Sequence, residues 1–120
     1  IEAGVQEPRI LAGNLAARRD FTDVRDVVRA YAALMERGAP GEVYNVGSGR
    51  AVAMEEVLKE ILSMARREIR VERDPERFRP LDAPLHVADI AKLRAATGWS
   101  PRISLKKTLQ DTLEYWRETI

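Results

Sequence analysis

Cysteine is absent from these 120 residues. Disulfides, thiolate catalysis and cysteine-ligated zinc are therefore excluded. Histidine occurs once, at His86, so a multi-histidine metal site is excluded as well. No apolar run approaches the length of a membrane span. The opening Ile1-Glu2-Ala3-Gly4 has no basic stretch followed by an apolar one, so no signal peptide is visible. An excess of charge is missing too: 20 basic against 19 acidic side chains leave a net +1. Such a balance draws in neither nucleic acid nor anionic lipid. Any anion must be bound by a few aimed residues. The default expectation is a soluble cytoplasmic domain with no nucleic-acid and no membrane partner.

What is there is the mixture of a folded chain. Apolar residues make up 45% and charged ones 32%, and the length suits one domain over 1–120. Four segments repeat their apolar residues at helical spacing. The first, over about 22–37, carries Val24, Val27, Val28, Tyr31, Leu34 and Met35 and reads as a half-buried helix stopped by Gly38. The second spans about 54–66, with Met54, Val57, Leu58, Ile61, Leu62 and Ala65 on one face. A short third runs from Asp89, a candidate cap, to about Thr97 and closes at Gly98. The fourth follows Ser104 with Leu105, Leu109, Leu113 and Trp116 on one stripe. Between them, 9–12, 42–46, 69–73 and 85–87 are expected as strands, 42–46 the best of them. The fold class is α/β or α+β: a small sheet with about four helices. The amino end resembles a helix tail and reads as a cut edge.

Several motifs invite a function and have a plainer reading. Gly47-Ser48-Gly49 follows an expected strand, but a dinucleotide fingerprint needs a third glycine where Val52 stands. It reads as a tight turn. Asp20, Asp23 and Asp26, spaced by three, would share a helix face and could hold a divalent ion; their better reading is complementing the positive end of a helix dipole. The six arginines of 66–79 are interleaved with Glu68, Glu72, Asp74 and Glu76, which suits a solvated face. Two places carry more weight: Arg18-Arg19-Asp20-Phe21 and Arg77-Phe78-Arg79-Pro80-Leu81-Asp82. Arginine presents a planar fork of donors that matches phosphate oxygens. An ionised carboxylate only accepts, so Asp82 could take two sugar hydroxyls beside a phosphate on Arg79.

Three ordered stretches resemble one family. They are 13–26, from Gly13-Asn14-Leu15 through Arg19-Asp20-Phe21 to Asp26; 41–49, ending in Asn45-Val46-Gly47-Ser48-Gly49; and 74–99, through Arg79-Pro80-Leu81-Asp82 to Thr97-Gly98-Trp99. Their order and spacing look like the last third of bacterial GDP-mannose 4,6-dehydratases and the related GDP-4-keto-6-deoxymannose reductases. The resemblance implies the carboxy-terminal substrate domain of an extended Rossmann-type short-chain dehydrogenase. It implies that Arg19 and Arg79 reach the substrate diphosphate, that Asp82 touches the ribose and that Asn14 lies near the base. The implied ligand is a nucleoside-diphosphate sugar of the GDP-mannose kind. His86 stands where the family more often has an aliphatic residue, and is expected to pack beside its strand without a chemical role.

The family's cofactor, NADP or NAD, is held by a dinucleotide-binding half that these residues do not resemble. Its catalytic pair is Tyr-x-x-x-Lys, in which the lysine lowers the pKa of the proton-moving tyrosine. Four residues after Tyr31, Tyr44 and Tyr115 stand Met35, Ser48 and Thr119. The expectation is a substrate-binding domain with no catalytic residue, cofactor or metal of its own, inactive alone. Two alternatives remain open: a non-catalytic binding or oligomerisation module of the same descent, pairing with itself or a separate dinucleotide-binding chain, and the equivalent part of another sugar-nucleotide epimerase.

Overall fold

Local chemistry sets the helix ends. In the computed structural model, which describes residues 1–78 and 85–119, helix α1 spans Val24–Arg37. The Asp23 carboxylate accepts from the Arg25 N–H, and the Gly38 N–H closes the last turn on Leu34 O. Helix α2 covers Met54–Ser63, ending three residues earlier than its apolar spacing suggests. Glu56 reaches back to the Ala53 N–H, but Ala53 has no side-chain oxygen to return the bond, so only half of a capping box forms. Helix α3 is Ala91–Thr97; the Asp89 carboxylate accepts from the Ala91 N–H, and Gly98 at φ 71° ends it in the left-handed region. Helix α4, Leu105–Thr119, starts where Ser104 Oγ accepts from the Lys107 N–H.

The strands form two small sheets where the sequence suggested one. Strand β1 (Arg9–Ala12) runs parallel to β4 (Arg70–Arg73), Ile10 facing Val71. The second sheet has the order β3-β2-β5: β2 (Arg18–Asp20) is antiparallel to β3 (Ala51–Ala53) and parallel to β5 (Leu85–His86). Residues 42–46, expected as the best strand, form no ladder. Tyr44 and Val46 pack against the core instead. The class stands: α/β, four helices over small mixed sheets.

The core lies between α1, α3 and the turn after α3. Ala30, Ile90, Leu93 and Trp99 are buried together, and Leu93 is wholly enclosed. Removing a leucine side chain from water contributes about 1.5–3 kcal/mol. The face that α1 buries takes only part of the apolar stripe read from its sequence: Leu34 packs against the core and Val27 is half-buried. Val24, Val28, Tyr31 and Met35 are exposed, Met35 by 89%, while Asp26 and Ala30 face inward. Among the described residues, no helix is long and apolar enough to cross a membrane.

Candidate functional site

Strand β2 sorts its two arginines by alternation. Arg18 turns toward β3 and α2, donating to Ala51 O at 2.9 Å and approaching Glu56 at 3.8 Å. Arg19 faces the other way and donates to Arg18 O at 2.8 Å. It lines a cavity of about 650 Å³ together with Asn45, Val46, His86 and Ala88. His86 is exposed, not packed away beside its strand.

What holds this wall in place is Asp20. Its carboxylate accepts from the backbone N–H groups of Ser48 at 2.8 Å, Gly49 at 3.0 Å and Ala88 at 3.2 Å, and from the Ser48 hydroxyl. Burial alone would push the Asp20 carboxyl up; the Ser48, Ala88 and Gly49 donors outweigh it and hold it below the ordinary range. Asp20 thus serves no helix end. It sits in β2 and ties together that strand, the glycine turn and the chain after β5.

The same cage holds the glycine turn. The Ser48 and Gly49 N–H groups are taken by an internal carboxylate, which makes Gly47-Ser48-Gly49 a turn held from within. Gly47 is small because a Cβ there would stand 2.5 Å from the Ala88 Cβ and 2.7 Å from Asp20 Oδ2.

The other two aspartates of the triplet also point apart. Asp23 is buried, receives Nε and Nη2 of Arg25 at 2.8 and 2.7 Å, and accepts from Thr108 Oγ1 of α4 at 2.7 Å. Asp26 accepts the N–H groups of Arg102 and Ile103. Asp23 and Asp26 staple α4 and residues 102–103 to the start of α1, whereas Asp20 ties the glycine turn to β2. Among the described residues, no group of three or more His, Cys, Asp or Glu side chains is placed to hold a metal.

Asn14 lies elsewhere. Its side chain accepts from the Ala16 N–H at 3.0 Å, closing an Asx turn. It lines a second cavity of about 590 Å³ with Leu15, Arg73, Asp74 and Phe78. Arg19 and Asn14 are therefore not brought into one cavity. Arg79 and Asp82 lie outside the described residues. Their described neighbours in sequence belong to both places: Phe78 lines the Asn14 cavity and Leu85 the Arg19 cavity.

A third cavity, about 680 Å³, escaped the sequence reading. Ile10, Ile61, Leu62, Ile69, Leu113 and Trp116 line it. Glu2 and Arg117 meet at its wall, Nε to Oε2 at 2.7 Å. The Arg117 guanidinium, then the Arg66 N–H, pull the Glu2 carboxyl down to about 2.

Residues 1–112 match the GDP-mannose 4,6 dehydratase family. The GDP-6-deoxy-D-mannose reductase of Pseudomonas aeruginosa is 33% identical over 120 residues, 100% of this chain and 40% of that protein. The solved structure of RMD from the same organism, complexed with NADPH, superposes with a TM-score of 0.92 over 99% of this chain and 39% of that one, at 33% identity. MoeE5 in complex with UDP-glucuronic acid and NAD gives a TM-score of 0.79 at 26% identity, over 93% of this chain and 38% of that one. The chain spans about two fifths of the length of these relatives. A match over residues 1–112, through both sheets and into α4, means that this chain belongs to the GDP-mannose 4,6 dehydratase family of extended short-chain dehydrogenases/reductases.

Proposed function

We propose that this chain holds the nucleoside-diphosphate part of a sugar nucleotide, of the GDP-mannose kind, for an NAD(P)-dependent 4,6-dehydratase or reductase, and does no chemistry alone. The observation that carries the reading is Arg19, aimed from β2 into a 650 Å³ cavity whose wall Asp20 fixes. Arg19 and Arg79 bind the diphosphate, Asp82 accepts from the ribose and Asn14 lies by the base. A near-neutral chain needs such aimed cations, because no general field gathers the ligand. Support for the ligand class comes from the relative named for a GDP sugar and the neighbour solved with UDP-glucuronic acid.

Titration calorimetry with GDP-mannose and UDP-glucose tests this. GDP-mannose binds the more tightly, and Arg19→Ala or Arg79→Ala each weakens it about tenfold, as losing a charge-assisted hydrogen bond does. Equal binding by Arg79→Ala and the parent would show that the site is wrongly drawn.

A second reading, an oligomerisation module, is favoured by the exposed stripe of Val24, Val28, Tyr31 and Met35 on α1. Residues four, seven and eleven along a helix share one side, and a contiguous apolar patch seeks cover. Sedimentation velocity over a hundredfold range of concentration should then show self-association that Tyr31→Glu abolishes. A monomer at every concentration removes this reading.

A further inference from the structure

We propose that the Asn14 cavity selects guanine as the base of the nucleotide, with Phe78 stacked on the ring, Arg73 on its O6/N7 edge and Glu55 on its N1/N2 edge. This rests on the reading that the chain holds a nucleoside diphosphate. The family resemblance puts only Asn14 near the base; the residues that choose among bases come from the cavity itself.

Close backbone contacts build its walls. The Asp74 N–H donates to Ala12 O at 2.9 Å, which fixes the end of β4 beside the end of β1. The Glu55 N–H donates to Leu15 O at 3.1 Å, which fixes the first turn of α2 against the same loop. Gly13 lies against the turn after β4, where a Cβ would stand 2.3 Å from Arg77 O. Loop 13–16 is therefore a floor, with Arg73 and Phe78 on the side of β4 and Glu55 on the side of α2. The Phe78 ring is 59% exposed at this cavity. An aromatic ring accepts any base, because every base has a π-face, so stacking alone does not choose.

Choice needs the edges. Guanine presents two acceptors, O6 and N7, on one edge and two donors, N1–H and the N2 amine, on another. The planar fork of arginine matches the first. An ionised carboxylate, which only accepts, matches the second. Arg73 is exposed, and the acids on either side of it serve other cations: Glu72 meets Arg9 at 3.4 Å and Asp74 meets Arg77 at 3.1 Å. Asp74 also lines the cavity, but it accepts from the Glu76 N–H at 3.0 Å as well as from Arg77, so it is already spent. Glu55 is differently placed. Its Oε1 meets Lys59 at 3.1 Å in an exposed pair one helical turn apart, and such pairs yield easily to a better partner. Adenine would set its N6 amine against Arg73 and the N1 lone pair against Glu55. Uracil has one ring to stack and no second donor for the carboxylate.

Titration calorimetry with the diphosphates of guanosine, inosine and adenosine tests this, since the three share ribose and diphosphate and differ only at the base edges. Inosine lacks the N2 amine and so isolates Glu55. The chain should bind guanosine diphosphate about tenfold more tightly than inosine diphosphate and about a hundredfold more tightly than adenosine diphosphate. Glu55→Gln should bind the guanosine and inosine ligands alike. Arg73→Met keeps the stem and loses the fork, and should weaken both about tenfold while changing adenosine diphosphate less. Both side chains are exposed, and a purely structural role would not alter the ratios between ligands. Equal binding of all three by the parent overturns the proposal and leaves the nucleoside-diphosphate reading standing. An unchanged guanosine preference in either variant overturns it too, because the base is then read elsewhere. Failure to bind any of the three overturns both.

Discussion

Asp26→Ala should destabilise this chain by about 3–5 kcal/mol, the cost of breaking a buried ionic cluster by removing one member. The Asp26 side chain is 0% exposed. Its Oδ2 accepts from the N–H groups of Arg102 and Ile103, both at 2.9 Å, and its Oδ1 from the Arg29 guanidinium. Alanine leaves those two part-buried N–H groups without their carboxylate acceptor. Arg29 suffers less, because it also donates to Ser100 O at 3.1 Å. The damage then spreads, since residues 102–103 lead into α4 and Trp99 donates its Nε1 to Asp26 O at 3.1 Å. A domain of this size holds about 5–15 kcal/mol in all, so the variant should lose a substantial share of its stability. Urea unfolding followed by far-ultraviolet dichroism measures it. Asp26→Asn, which keeps one oxygen and the volume, should lose markedly less. A loss under about 1 kcal/mol for the alanine variant would mean that residues 99–103 are held by something else.

That cluster marks where the sequence could be read and where it could not. The four helices were visible because each has periodic apolar residues, and three have a chemical signal at one end: Gly38 for α1, Gly98 for α3, Ser104 for α4. Strands β1, β4 and β5 were visible in the same way. Strands β2 and β3 were not. Arg-Arg-Asp and Ala-Val-Ala carry no alternation long enough to register, and they exist because partners distant in sequence select them. Asp20 reaches Ser48 across 28 residues and Ala88 across 68. The converse error lies at 42–46, whose valines and tyrosine suit a strand. There the Tyr44 hydroxyl accepts from the Ala39 N–H, and Lys92 stands 4.8 Å over its ring, so the residues are spent on packing. On α1 the apolar period was correct but only Val27 and Leu34 of the stripe turn inward, because periodicity shows that a stripe seeks cover without showing what covers it.

The candidate site divides similarly. Arg19 was legible from guanidinium chemistry and resemblance, yet its direction needed the alternation within β2 and the register with β5. His86 was read as a packing residue because exposure is not written in sequence. The aspartate triplet was legible as a spacing only. Spacing could not reveal that Asp20 sits in a strand and the other two at a helix start, so a shared face never forms.

Those three carboxylates also fix how the chain should respond to acid. Asp23 is held well below the ordinary range by Arg25 first, then by Thr108 and the Arg25 N–H against the opposing effect of burial. For Asp20 and Asp26 burial is the largest single influence and pushes upward, but the donors together outweigh it and leave both lowered. A carboxyl lowered in the folded state is protonated first in the unfolded chain. Its stabilisation is therefore complete above the unfolded value, about 4 for aspartate, and is lost as pH falls toward the folded value. Each extra proton bound by the unfolded chain sets a slope of about 1.4 kcal/mol per pH unit, so three together set about 4. Stability should be level above about pH 5, begin to fall near pH 4 and approach that slope below about pH 3, where the unfolded carboxyls are protonated and the folded ones are not. Glu2, at about 2, steepens the same limb. Urea midpoints taken at several pH values, read by the fluorescence of buried Trp99, give the slope directly. Asp26→Asn should lower it by one proton, and the Asp20→Asn, Asp26→Asn double variant by two. A parent slope of one proton or less would mean that the carboxylates titrate alike in both states, and that the staples around α1 hold by packing, not by charge.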